Sequence, residues 1–118
     1  VFPFIVYDKN YSVIAPKRFE TAVIYTMNVK ERMFADEYIG AENGGPLGFF
    51  ERYVTRVFTK PERVCAFNTY QFDDYGKYVA DGWDEREKAE WRARELPREL
   101  QNAFDAGARM AEKIKKNL

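Results

Sequence analysis

Arg52 and Arg56 stand four residues apart, with Phe49 and Tyr53 beside them and Lys60 one turn further on. Guanidinium groups set among aromatic rings can pair phosphates and stack on planar groups, the chemistry of a nucleotide or single-strand site. The same spacing describes the solvated face of any amphipathic helix, and Glu51 interrupts it. A second concentration follows: Tyr70, Phe72, Tyr75, Tyr78 and Trp83 fall within fourteen residues, around turn sequences rather than in a core pattern. Trp91 stands alone in the polar run Glu-Arg-Glu-Lys-Ala-Glu-Trp-Arg-Ala-Arg-Glu. Tyr and Trp cover much area with one rigid side chain and keep a polar tip, so they anchor protein interfaces; small domains also need such bulk for their cores.

The commoner catalytic arrangements are missing. With no His and a single Cys, Cys65, the chain lacks a structural zinc set and a Cys–His pair. Ser12 is the only serine and sits in no Gly-x-Ser-x-Gly elbow. Asp73, Asp74, Asp81 and Asp84 could offer oxygens to Mg²⁺ or Ca²⁺, but without EF-hand spacing they read as turn and helix-cap carboxylates. The loop Gly40–Gly48 precedes a helix as a phosphate-binding loop would, yet Pro46 stands where such a loop needs Lys, and no Gly-x-Gly-x-x-Gly run occurs. No cofactor is therefore expected. Acid–base chemistry on carboxylates or Tyr stays open, with no residue pair pointing to it.

The composition bounds the partners. Of 118 residues 46% are hydrophobic and 32% charged, and 19 basic residues balance 19 acidic ones. A zero net charge gives no general pull toward extended nucleic acid or anionic lipid. No apolar run reaches the ~18 residues of a membrane span. One Cys makes no intrachain disulfide, and the opening Val1–Val6 has no basic leader region, so a reduced, cytoplasmic setting is expected; the missing initiator Met suggests a processed or trimmed chain.

These residues need elements to position them. Phe2–Tyr7 and Ser12–Ala15 read as a hairpin around Asp8-Lys9-Asn10, and Thr21–Met27, apolar on both faces, reads as a central strand. Asn28 with Glu31 suits a capping box for a helix Val29–Ile39, with Val29 and Met33 inward and Gly40 as its stop. In 47–60 the residues Leu47, Phe50, Val54, Val57 and Phe58 share one helical face, and Val64–Tyr70 reads as a fourth strand. From Asp81 or Trp83 a charged helix runs to Leu96. Pro97 opens a second helical segment, 97–116, kinked or broken from the first, in which Leu100, Ala103, Phe104, Gly107, Ala111, Ile114 and Leu118 recur at steps of three or four.

The expected fold is one α+β domain over 1–118: a mostly antiparallel three- to four-stranded sheet within 1–80, packed by helices, and a helical segment 81–118. The expected function is a small non-enzymatic binding protein, an inhibitor or adaptor, that occupies a protein partner's surface with Tyr70, Phe72, Tyr75, Tyr78, Trp83 and Trp91. The alternative is a small anionic ligand or nucleotide held by Arg52, Tyr53, Arg56 and Lys60; an enzyme using carboxylates or Tyr comes third. Homo-oligomerisation is left open.

Overall fold

The computed structural model describes residues 2–118; Val1 lies outside them. Strand β1 (Ala22–Thr26) pairs with β2 (Glu62–Ala66) in parallel, with Ala22 opposite Glu62 and Thr26 opposite Ala66. Among the described residues these two strands are the whole sheet. The expected antiparallel sheet of three or four strands is thus overturned. Parallel neighbours need a long crossover between them, and the segment joining β1 to β2 carries two helices, which fits no tight hairpin.

The N-terminal hairpin exists only as a rudiment. Residues Phe2–Phe4 form a 3-10 turn, and one antiparallel bridge joins Ile5 to Val13. It leans on the rest through rings, Phe4 lying edge-on to Phe58 at 5.7 Å. Nor is β1 central: it is an edge strand with Ile24 73% exposed. Its neighbours Val23 and Tyr25 turn the other way, as a pleated strand requires, and Tyr25 meets Phe34 at 5.4 Å.

The crossover starts at α1 (Glu31–Met33), which passes directly into a π-helical segment, Phe34–Ile39. Lys30 precedes α1 without a side-chain cap, so the expected capping box is not made; Asn28 instead donates to Gln71 Oε1 at 2.7 Å. Met33 is exposed, while Phe34 and Ile39 are buried. In an α-helix, residues five apart would diverge by about 140°, and the wider π turn brings both to the core. Gly40 (φ +75°) ends this segment, and a Cβ on Gly48 would lie 2.5 Å from Asn43 O, so both positions demand glycine.

Helix α2 (Pro46–Val57) begins with Pro46 in its first turn, where the missing amide hydrogen costs nothing. Val54 and Val57 are buried, but Phe50, expected inward, is exposed. Phe34, Ile39 and Phe67 form the core, with Tyr25, Leu47, Cys65 and Trp91 packed around it.

Helix α3 (Glu85–Lys116) is one continuous helix of 32 residues, roughly 48 Å long at 1.5 Å per residue. Asp84 caps it, accepting from Glu87 N, and it runs unbroken through Pro97. It lies against β2: Arg109 grips Glu62 with two hydrogen bonds of 3.1 and 3.0 Å, and Glu99 Oε1 accepts the Phe67 amide at 3.0 Å. No helix among the described residues is long and apolar enough to cross a membrane.

Candidate functional site

The outer side of α2 carries Phe49, Arg52, Tyr53 and Arg56, because Gly48, Val54 and Val57 take the inner side. Arg56 reaches across to the hairpin turn and donates to Asn10 O at 2.9 Å and Tyr11 O at 2.8 Å. That turn is itself held by Asp8. One carboxylate oxygen accepts the amides of Asn10 and Ser12 at 3.0 and 2.9 Å, and the other accepts the Ser12 hydroxyl. The Ser12 bonds hold the Asp8 carboxyl below its ordinary range.

Two hollows result. One of about 300 Å³ is lined by Ile5, Tyr7, Tyr11, Tyr53 and Arg56, and the other, of about 350 Å³, by Phe49, Arg52, Tyr53 and Arg56. They adjoin through Tyr53 and Arg56, and among the described residues neither is lined by a carboxylate. Tyr7 is 89% exposed, with Tyr11, Phe49 and Tyr53 also on the surface. Tyr7 meets Tyr11 edge-on at 6.0 Å. The Arg52 guanidinium lies 4.4 Å from the Phe49 ring centroid and forms no ion pair among the described residues. Glu51 leaves this face: it turns inward to chelate Arg63 (2.8 Å from Nε) and to accept from the Tyr25 hydroxyl at 3.1 Å. Lys60 is exposed and lines neither hollow.

The six expected anchors between 70 and 91 divide. Tyr75 is buried and Trp91 packs against the core, so these two are not surface anchors. Phe72 stacks on Tyr78 at 4.3 Å and meets Tyr75 edge-on at 5.3 Å. Tyr70, Tyr78 and Trp83 are exposed. Tyr70 and Trp83 already carry cations, Arg92 at 6.0 Å and Lys88 at 4.7 Å. Much of this cluster is therefore spoken for by its own neighbours.

Trp83 also walls a hollow of about 530 Å³ between the 28–37 segment and the start of α3. At its base Lys88, only 1% exposed, donates to Asn28 O (2.8 Å), Asn68 Oδ1 (2.8 Å) and Thr69 O (3.1 Å). Burial pushes its pKa below that of an ordinary lysine. Three acceptors engage all three donors of an ammonium, so the group joins two loops to α3 and has no free lone pair to act as a base or nucleophile.

Cys65 borders a hollow of about 310 Å³ with Arg63, Phe67 and Glu99. Burial pushes its thiol up to about 11 from 9.0, the opposite of an activated nucleophile. The unfolded thiol ionises first, so this group's share of stability is intact below pH 9 and lost as the pH rises toward 11. Denaturant titrations across that range should show a shallower alkaline loss for Cys65→Ala than for the wild type. Equal slopes would assign the loss to other groups.

The chain matches no protein-family model, no curated protein and no solved structure. Its chemistry has to be read from its own side chains. The sequence did not disclose Tyr7, Tyr11 and Asp8 as parts of the α2 face, because they reach it from more than forty positions away. Their one local sign was the Asp8–Ser12 spacing of a side-chain-supported turn.

Proposed function

We propose that this chain is a non-enzymatic binding protein that occupies the surface of a protein partner, and that it does so with the face of Tyr7, Tyr11, Phe49, Arg52 and Tyr53. The observation that supports this reading is the pair of adjoining hollows, rimmed by exposed rings and by Arg52, which has no carboxylate partner among the described residues. Tyr and Arg are the side chains on which interface energy concentrates. The two bonds from Arg56 fix the hairpin turn beforehand, so little ordering is left for the moment of binding. The complementary surface carries carboxylates beside apolar area, to meet Arg52 and the rings. A single Cys, which can form no intrachain disulfide, is compatible with the reduced, cytoplasmic setting that belongs to this reading.

Affinity capture followed by titration of the isolated partner tests this. Arg52→Ala and Tyr53→Ala are each expected to weaken binding at least ~10-fold, the effect of a hot-spot residue, while Tyr78→Ala stays near wild type. Full affinity in both folded variants removes this face from the reading.

A small anionic ligand is the second reading, favoured by the size of the hollows, which falls at the lower end for ligand sites. A nucleotide at ~100 times its dissociation constant would add ~2.7 kcal/mol in a thermal-shift panel. No shift with any nucleotide would discard it.

A further inference from the structure

Helix α3 carries two stripes at helical spacing, an inner one of apolar residues with Glu99 among them and an outer apolar one, and among the described residues only the inner stripe is packed. Leu96, Glu99, Ala103, Ala106 and Met110 are buried or half-buried on the side that meets β2. Leu100, Phe104, Gly107, Ala111, Ile114 and Leu118 are all exposed, Phe104 by 73% and Leu100 by 61%. The exposed set recurs at alternating steps of four and three, the 3.5-residue period that keeps one helix facing another along its length.

Gly107 is the second observation. A glycine inside a helix weakens it relative to alanine. Nothing among the described residues calls for one here, since a Cβ at Gly107 would meet none of their atoms within 4 Å and its φ is not positive. The notch it leaves lies one turn from the most projecting ring of the seam.

We propose that the exposed seam of α3 pairs with the same seam of a second copy, antiparallel, about a two-fold axis between Phe104 and Gly107. That register seats Phe104 of each copy over Gly107 of the other. It also sets Leu100 against Ala111, Ile114 against Pro97 and Leu118 against Ala93, a large side chain facing a small one in every layer. A two-fold axis repeats each contact, so one complementary pair closes the interface twice. A parallel, in-register pair would oppose Phe104 to Phe104 and Gly107 to Gly107, crowding one layer and emptying the next.

The seam from Ala93 to Leu118 is roughly 38 Å long. Covering it on both copies removes on the order of 1,200 Å² of surface, the lower edge for a stable interface, so the dimer dissociates in about the micromolar range. Flanking charges add no attraction: Arg94 of one copy comes beside Lys115 of the other. Added salt should therefore tighten the dimer.

Sedimentation of the full chain across a concentration series tests this. A monomer–dimer equilibrium is expected, weakened at least ~10-fold by Phe104→Ala and by Gly107→Leu. Gly107→Leu fills the notch without touching the monomer's own packing, so its thermal melt should be no lower than wild type. For orientation, Gln101→Cys and Ala108→Cys, each with Cys65→Ser, are mixed and oxidised; the 101–108 disulfide should dominate over 101–101. A monomer at every concentration up to hundreds of micromolar overturns the proposal, including the case in which the seam is covered only by a different protein. A dimer indifferent to both substitutions overturns it equally, since the copies would then meet elsewhere.

Discussion

Replacing Lys88 by Met is expected to lower folding stability by about 3 kcal/mol or more, although the side-chain volume hardly changes. Methionine keeps the apolar stem but leaves Asn28 O, Asn68 Oδ1 and Thr69 O without their donor. A buried acceptor that loses its partner costs ~1–3 kcal/mol, and the three sit around a group that is 1% exposed. The loops bearing Asn28 and Asn68 would also lose their common attachment to α3. Asn68 holds a left-handed conformation (φ +51°), which such anchoring helps to maintain. Urea unfolding of the variant measures this directly. A loss below about 1 kcal/mol would mean that the ammonium gains little from its carbonyl cage.

Phe34→Ala should be comparably damaging, at about 3–5 kcal/mol. Phe34 is buried where the π-helical segment faces the sheet, and its ring touches Tyr25 at 5.4 Å and Phe67 at 5.2 Å. Removing it empties the middle of the core cluster that Trp91 also packs against, so Trp91 fluorescence should shift with the loss of structure. Phe34→Leu retains most of the volume and should cost clearly less. Equal losses for Ala and Leu would indicate that ring geometry, rather than filled volume, stabilises this position.

Much of the local structure was legible in the sequence, and most of the long-range arrangement was not. Strand β1 falls within the expected run Thr21–Met27, whereas β2 (Glu62–Ala66) shares only residues 64–66 with the expected Val64–Tyr70 and starts two residues earlier, at the charged Glu62 and Arg63; Gly40, Pro46 and Pro61 bracket the helical pieces between the strands. The pairing departs from the expected antiparallel sheet because the N-terminal residues, which read as two further strands, make only the single bridge Ile5–Val13 and leave β1 and β2 to pair in parallel. The two helices between Thr21–Met27 and Val64–Tyr70 already argued for a parallel crossover. Pro97 looked like a breaker, yet α3 continues through it, its docking on β2 on the C-terminal side and the Lys88 anchor on the other outweighing one lost amide bond.

The basic face of α2 was visible as spacing, and the structure sharpened it in two ways. Glu51, which seemed to interrupt the face, is committed to Arg63 and Tyr25, and the hairpin brings two tyrosines that no local pattern announces. Lys88 shows the reverse case. In Glu-Arg-Glu-Lys it reads as a solvated charge, but steps of three and four taken back from Met110 through Ala106, Ala103 and Glu99 lead along the buried side to Trp91 and Lys88. A stripe that keeps helical spacing while changing from apolar to charged residues was the available sign. Trp91, chosen as a contact anchor, belongs to that same inward stripe.

Under the proposed function, the protein meets its partner with the face that α2 and the hairpin turn form between Tyr7 and Tyr53. Site-specific photo-crosslinking tests it most directly, with a photoreactive phenylalanine analogue placed at Tyr11 or Tyr53 in one set and at Tyr78 in another. Crosslinks to the captured partner are expected from Tyr11 and Tyr53 and suppressed by Arg52→Ala. Crosslinks confined to Tyr78, or none from the α2 face while the complex remains intact, would show that the partner is met elsewhere.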